Sequence, residues 1–556
     1  MDKILKKPYL AVTLLVILCA YLFLFKLGDM ALTDPDETFY AQTAKEMVNK
    51  GDWTTPYLYG KPQFEKPILI YWLIEISYKI FGVNEMSARL PSALFGLIGV
   101  IAMYFLGSVL FGKKAGFLSA VILATNVEYI VLSRACITDM TLTAFMLLGV
   151  LFFFYGYLKN KKSFYILSSA AFAFAVLAKG PIAIALPVLA FIIFLAIVGD
   201  LGSLKKIPFG WCVLIFVVIA GPWYFTAYKL HGMEFIDAFF GFHNVTRFMQ
   251  SEHKIGSQFY YNIPVIMAGF FPWSIFLPFG FWYIFKNRQG ARGDGRVEAK
   301  GSVFALVWFF VIFLFFSASR TKLPTYVFPT FISLALIVGA LWNEFLNSGK
   351  ISGSVAAGVK VSYYLLAIAI IAGAVGLSIF VKIDMPEILK GVVFSSLVLV
   401  FGFIASAVLF LKKKHFASFC LIVVSLAALI LPLDFYVLPD VERYESSKEV
   451  SGKLRLLIKE GEALGSQSNY LPGLAFYADK FPVDLDKHHI MVNFLNSDKR
   501  VWAVIKDKNH RGLYDPAINN EYVKPTYLLY TVGKRSIVTN VEPDDGVYIL
   551  KREFVK

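Results

Sequence analysis

The amino-acid sequence predicts a polytopic α-helical membrane protein, with about 13 transmembrane helices and a small α/β domain at the C-terminal end. Three observations predict it. Of the 556 residues, 57% are hydrophobic and 17% charged, against roughly 45–50% and about 25% in ordinary soluble domains; the mean hydropathy is +0.63. The apolar excess falls in blocks of about twenty residues, the length a helix needs to cross a ~30 Å hydrocarbon core with its backbone hydrogen bonds closed internally. Beyond residue 438 the blocks stop, and short mixed runs replace them.

Along the chain the predicted spans run near 9–27, 89–111, 115–135, 138–158, 164–178, 181–198, 209–228, 260–285, 302–318, 324–346, 359–381, 391–411 and 416–438. The first follows Lys3, Lys6 and Lys7 and has no small-residue cleavage site, so it reads as a retained span rather than a removed signal peptide. An odd number of spans puts the two ends of the chain on opposite sides. Loops on the N-terminal side hold twenty Lys and Arg, against six in the short loops opposite (Arg134, Lys179, Arg320, Lys322, Lys382, Lys390). That bias predicts a cytoplasmic N-terminus and an outer C-terminal domain. The net charge of +15 is thereby mostly a topology signal, and nucleic acid is excluded as a partner. Cys19, Cys136, Cys212 and Cys420 lie in or beside apolar blocks without CxxC or metal-type spacing, as small buried apolar residues do.

The predicted organisation is a transmembrane domain over 1–438 and an outer α/β domain over 439–556. Two large outer loops interrupt the first, 28–88 and 229–259. In the first loop, Phe39–Met47 has the pattern of a short amphipathic helix. Pro67–Phe81 is apolar over only fifteen residues, flanked by Glu65-Lys66 and Gly82, and reads as an interfacial helix. In the tail, a helix over Ser446–Lys459 precedes β-type runs at 474–477, 501–505, 527–530 and 547–550, punctuated by Pro, Gly, Asn and Asp.

The inner loops are short and basic, with no phosphate-cradling glycine loop and no acidic cluster, so a cytosolic nucleotide-dependent reaction lacks a home. Polar detail gathers outside. Asp34, Asp36 and Glu37 follow directly on a span, where carboxylates are costly unless given a cation, a metal or a reaction; a solvated helix N-cap is the equal alternative. Lys66, at headgroup depth, suits a lipid phosphate or simply snorkels. Asp139 stands at the mouth of a span, with Lys179, Arg320 and Lys322 facing the same compartment. The second loop holds His231, His243 and His253 with Arg247 and Glu252. Zinc and plain surface histidines are both open there, since no fixed ligand spacing is present.

Taken in order, Asp36-Glu37-Thr38-Phe39-Tyr40, Gly51-Asp52-Trp53, Phe64-Glu65-Lys66-Pro67 with Tyr71-Trp72, Ala178-Lys179-Gly180-Pro181, His243 to Phe248, Gly269 to Trp273 and Lys322-Leu323-Pro324-Thr325-Tyr326 form a series. The series resembles the integral-membrane GT-C glycosyltransferases that use polyprenyl-phosphate sugars. Within them it is most similar to the bacterial aminoarabinose transferases of lipid A, distant relatives of the protein O-mannosyltransferases. The resemblance runs from the first span through the tail.

That resemblance implies an inner-membrane enzyme acting on the periplasmic side, as a monomer and without a required cofactor. Its donor is a sugar on undecaprenyl phosphate, an aminoarabinose-type pentose, and its acceptor is lipid A or another envelope molecule. Asp36 matches the essential acid, with Glu37 beside it, and Asp139 a second functional acid. Lys66 matches the lysine that meets the lipid phosphate, and Tyr326 a tyrosine near it; Tyr40, Arg247 and Arg320 complete the expected phosphate set. Glu65 matches a ligand to a structural zinc whose partner is His243 or His253. Phe39 stands where the family has Arg, which removes one cation from the phosphate site. The rivals are a protein or polysaccharide transferase using another sugar such as mannose, and a lipid-linked sugar flippase. A flippase needs polar residues through the whole bilayer, and the inner half of the spans has few.

Overall fold

The computed structural model describes residues 7–246, 258–293, 295–347, 353–506, 509 and 523–542, with the backbone alone for 242–246 and 384. Among them, nine helices are long and apolar enough to cross a membrane, or up to 11 if each of two bent pairs is one span; Pro8–Leu24 and Ile182–Val198 are shorter apolar helices. Every stretch predicted as a span falls on one of these. The chain divides into two compact units, one of Met1–Leu27, Phe64–Leu73 and Arg89–Leu433, the other of Gly28–Gln63, Ile74–Ala88 and Asp434–Lys556.

In the first unit, two helices break inside the apolar layer. Lys113–Ala124 turns by 67° into Val127–Ser133, and Phe259–Gly269 turns by 113° into the Trp273–Asn287 pair. Irregular backbone at membrane depth survives only where its polar groups find protein partners, and here the two breaks supply each other. Val127 N donates to Phe271 O at 3.1 Å, and Trp273 Nε1 donates to Thr125 Oγ1 at 3.0 Å. Asn126 Oδ1 accepts from Tyr129 N at 2.9 Å, capping the second half-helix. A Cβ on Gly269 would lie 2.1 Å from Glu128 Oε2, so only glycine lets the two breaks meet. In the last spans, Tyr363 Oη, Ser406 Oγ and Ser418 Oγ bond one another across three helices, the small polar glue that works where no hydrophobic drive separates helix from lipid.

In the second unit, Asp36–Lys50 is a helix with Asp36 and Glu37 in its first turn and Lys50 in its last, charges that complement the helix dipole. It closes at Gly51, where Gly51 N donates to Val48 O and Asp52 N to Met47 O, both at 3.2 Å. The short strands β1 (Tyr57–Leu58) and β2 (Lys61–Pro62) form a hairpin. Glu46 holds its turn, accepting from Tyr59 N at 2.9 Å and Gly60 N at 2.8 Å. The helix Leu69–Phe81, predicted over 67–81, crosses from one unit into the other.

The tail carries a five-stranded sheet. Its strands are β3 (Ala463–Ser466), β4 (Val483–Asp484), β5 (Val501–Lys506), β6 (Tyr527–Val532) and β7 (Arg535–Thr539), in the order β4-β3-β5-β7-β6. β3 pairs in parallel with β4 and β5, and β7 antiparallel with β5 and β6. The unbroken apolar run of β5 follows from burial on both faces. Trp502 and Val504 pack with Val450, Leu454 and Leu474, while Ala503 and Ile505 pack with Leu485, Met491 and Leu495 on the other face. One expected strand is wrong: 474–477 lies in the helix Leu471–Ala478. A short apolar run reads alike in either state, and Pro472 in the first turn is the start signal that decides it. The run at 547–550 lies outside the described residues.

Trp273 is fully buried, so Trp273→Phe removes a hydrogen bond in a dry setting and is expected to cost about 1–3 kcal/mol. Thermal unfolding in detergent is the measurement. Because the two side chains share one bond, adding Thr125→Val is expected to lower the midpoint by less than the sum of the single changes.

Candidate functional site

Within the first unit, Asp139 begins the helix Thr138–Lys159 and Lys179 ends the helix Lys162–Lys179. The neighbouring antiparallel helices bring a carboxylate at an N-terminus and an ammonium at a C-terminus together, each favoured by its own helix dipole. Lys179 Nζ and Asp139 Oδ1 form a short ion pair, with side-chain exposures of 17% and 10%. Thr138 Oγ1 donates to Ala178 O at 2.8 Å, which fixes the two helix ends side by side. Lys179 Nζ also lies 5.1 Å from the centre of the Tyr326 ring, and Tyr326 stands in the short helix Pro324–Thr330. Asp139, Lys179 and Tyr326 therefore form one cluster on three elements.

Around it, Lys322 Nζ donates to Ser319 O at 2.5 Å, and burial lowers the proton affinity of its ammonium. Arg320 is exposed. Lys66 is half-buried, with Nζ 3.5 Å from Glu65 O. His231 packs its ring 4.9 Å from that of Phe64. Among the described residues, no group of three or more His, Cys, Asp or Glu is placed to hold a metal. Of the zinc set, Glu65 is described; the side chain of His243 and all of His253 lie outside the described residues, as does Arg247.

Within the second unit, Asp36 is exposed on the first turn of its helix. Glu37 and Tyr40 are 3% and 8% exposed. Glu37 Oε2 accepts from Thr33 N at 3.0 Å and Thr33 Oγ1 at 3.1 Å, so this carboxylate holds the turn that leads into the helix. The Asp34 carboxyl is buried as well, its side chain 1% exposed. Thr38 Oγ1 donates to Asp34 Oδ1 at 2.9 Å, Ser447 Oγ to Oδ2 at 2.5 Å, and Arg535 lies 3.5 Å from Oδ2. Burial pushes the Asp34 carboxyl up to about 7, against the opposing effects of Ser447 and Arg535. Asp52 Oδ1 accepts from Thr54 N and Thr55 N at 2.8 and 3.2 Å, and Lys79 covers the Trp53 ring at 4.0 Å. The Gly51-Asp52-Trp53 motif is thus a folded corner.

By sequence, Asp139 and Tyr326 have expected roles, and Lys179 faces the same compartment without a role. The signal was present in the apolar helix ending on a lone lysine before Gly180-Pro181, since a cation at that depth needs an anion nearby.

Residues 65–225 match the family model of the dolichyl-phosphate-mannose-protein mannosyltransferases. The chain is 29% identical over 484 residues to an uncharacterized protein of Aquifex aeolicus, covering 85% of this chain and 87% of that one. It is 28% identical over 413 residues to an undecaprenyl phosphate-alpha-4-amino-4-deoxy-L-arabinose arabinosyl transferase of Proteus mirabilis, covering 73% and 72%. ArnT from Cupriavidus metallidurans, solved bound to undecaprenyl phosphate, aligns with a TM-score of 0.78 at 22% identity, over 95% of this chain and 98% of that one. The class is therefore a polytopic membrane protein with the GT-C glycosyltransferase fold. Within that class the chain shares its fold with ArnT along nearly its whole length.

Lys179→Met strands a buried carboxylate and is expected to cost roughly 3 kcal/mol, the low end for breaking a buried pair. Asp139→Asn in the same chain is expected to recover most of that loss, read as the thermal midpoint. Asp34 has a separate signature. Folding raises its proton affinity, so its stabilisation is complete below the ordinary carboxylate range and is lost as pH rises through about 7. Asp34→Asn, which cannot ionise, is expected to flatten the fall in thermal midpoint between about pH 5 and pH 8.

Proposed function

We propose that this chain is an inverting glycosyltransferase that moves an aminoarabinose-type pentose from undecaprenyl phosphate to lipid A or another envelope acceptor, on the periplasmic face of a bacterial inner membrane. The observation that carries this reading is the Asp139–Lys179–Tyr326 cluster at span ends, in a chain whose fold matches an enzyme solved with undecaprenyl phosphate along nearly its whole length. The positive-inside bias supports a cytoplasmic N-terminus and a periplasmic tail.

In this reading the donor phosphate is met by Lys66 and Tyr326, with Arg320 and Arg247 as further cations. Charge builds on the phosphate as the sugar leaves, and preplaced cations in a low-dielectric site stabilise it strongly. Asp139 holds Lys179 in place, aimed at that charge. Asp36 acts at the anomeric carbon. Whether it must take a proton depends on the acceptor: a phosphate monoester, with a second pKa of about 6, is already a nucleophile near neutral pH, whereas a hydroxyl needs a base. No nucleotide is required, because the activated lipid brings its own leaving group. With Phe39 in place of the family arginine, more of the phosphate charge falls to Lys66.

The test supplies purified protein with undecaprenyl-phosphate aminoarabinose and lipid A. Asp36→Asn is expected to lower turnover by at least about a hundredfold, the range for losing a preplaced group that stabilises transition-state charge; full turnover in that variant refutes the role. Lys66→Ala is expected to weaken donor binding about tenfold or more, the scale of a lost charge-assisted hydrogen bond. Mass spectrometry of lipid A from cells with and without the protein identifies the product, a gain of one pentosamine being the expected difference.

A further inference from the structure

The segment leading into Asp36 is held by the far end of the chain. Ala31 N donates to Glu442 Oε2 at 2.9 Å, Leu32 N to Tyr477 Oη at 2.8 Å, and Asp34 N to Glu445 O at 2.8 Å. Thr33 N is taken by Glu37, so each backbone N–H from 31 to 34 has a partner, and the tail supplies all but that one. Side chains repeat the pattern. Ser447 and Arg535 both reach Asp34 Oδ2, and a Cβ on Gly473 would sit 2.0 Å from Asp34 Oδ1. Arg535 is itself fixed, 2% exposed, with Nη1 donating to Tyr444 O at 2.8 Å and its guanidinium 4.6 Å from the centre of the Tyr470 ring.

A buried guanidinium set against the Asp34 carboxyl, two residues before Asp36, is a costly way to tie down a loop, since a desolvated charge rarely adds net stability. What such a pair supplies is geometry. Asp34 is bonded on both oxygens and on its own N–H, and Asp36 begins the helix directly after it. Reaction rates fall steeply when a reacting group is misplaced by about 1 Å. The geometry points to Arg535 as a positioning residue for Asp36, acting through Asp34, so that the C-terminal sheet is part of the catalytic apparatus rather than a separate binding module. This rests on the role of Asp36 given above.

The experiment compares the full-length wild type with Arg535→Gln, Arg535→Lys and Leu454→Ala in detergent. Leu454→Ala opens a cavity in the core beside the same sheet without removing any group that bonds Asp34, and reports plain destabilisation. With undecaprenyl-phosphate aminoarabinose and lipid A, Arg535→Gln is expected to cut kcat at least tenfold with the donor KM within twofold. Amide exchange over residues 31–38 is expected to quicken at least tenfold. Arg535→Lys is expected to fall between, and Leu454→Ala to keep kcat within twofold while lowering the thermal midpoint. An unchanged kcat in folded Arg535→Gln, or an equal loss in Leu454→Ala, overturns the proposal. If the wild type leaves that donor untouched, the donor assignment fails, and exchange over 31–38 decides the clamp alone: unchanged rates in Arg535→Gln refute it.

Discussion

Inside about 30 Å of hydrocarbon there is no water to complete an unmade hydrogen bond or to screen a lone charge, and the polar features of the first unit are arranged around that constraint. The two helix breaks meet because each exposes backbone and side-chain groups that the other can take. Val127 finds Phe271, Trp273 finds Thr125, and Gly269 gives way to Glu128. The same rule joins Asp139 to Lys179. A pair of this kind has little to offer as net stability, yet it fixes where the ammonium lies between the ends of two helices.

The spans were legible because their signal is local. Twenty apolar residues in a row have one physical meaning, and each predicted stretch lies on a helix. The breaks at Thr125–Asn126 and Phe270–Pro272 were less legible, since their apolar flanks continue through them. In the tail, β5 showed itself by a run of β-branched and aromatic residues, whereas 474–477 did not separate strand from helix until Pro472 was weighed. The strands β3, β4 and β7 are too short or too mixed to stand out; Gly465 and Ser466 look like turn residues and are placed in the sheet by their pairing with Ala503 and Val504.

The site divides along the same line. Asp36, Lys66 and Lys179 stand in the ordered motifs, and Asp139 stands out at the mouth of a span. The pairing of Asp139 with Lys179, and that of Asp34 with Arg535, joins residues distant in the chain, and a single sequence carries no record of distance. Asp34 shows the difference well: by sequence it is one of three similar carboxylates, and only the fold sets it against an arginine 501 positions away. Glu37, one residue after Asp36, turns back to Thr33 and closes the turn.

That separation also has a temporal side. Ala31 and Leu32 leave the ribosome long before their acceptors at Glu442 and Tyr477, which follow 411 and 445 residues later. At roughly 5–20 residues per second, the motif waits on the order of tens of seconds, with its amides on water, while every span is inserted. The turn leading into Asp36 therefore closes only after Glu442, Glu445 and Tyr477 have been made.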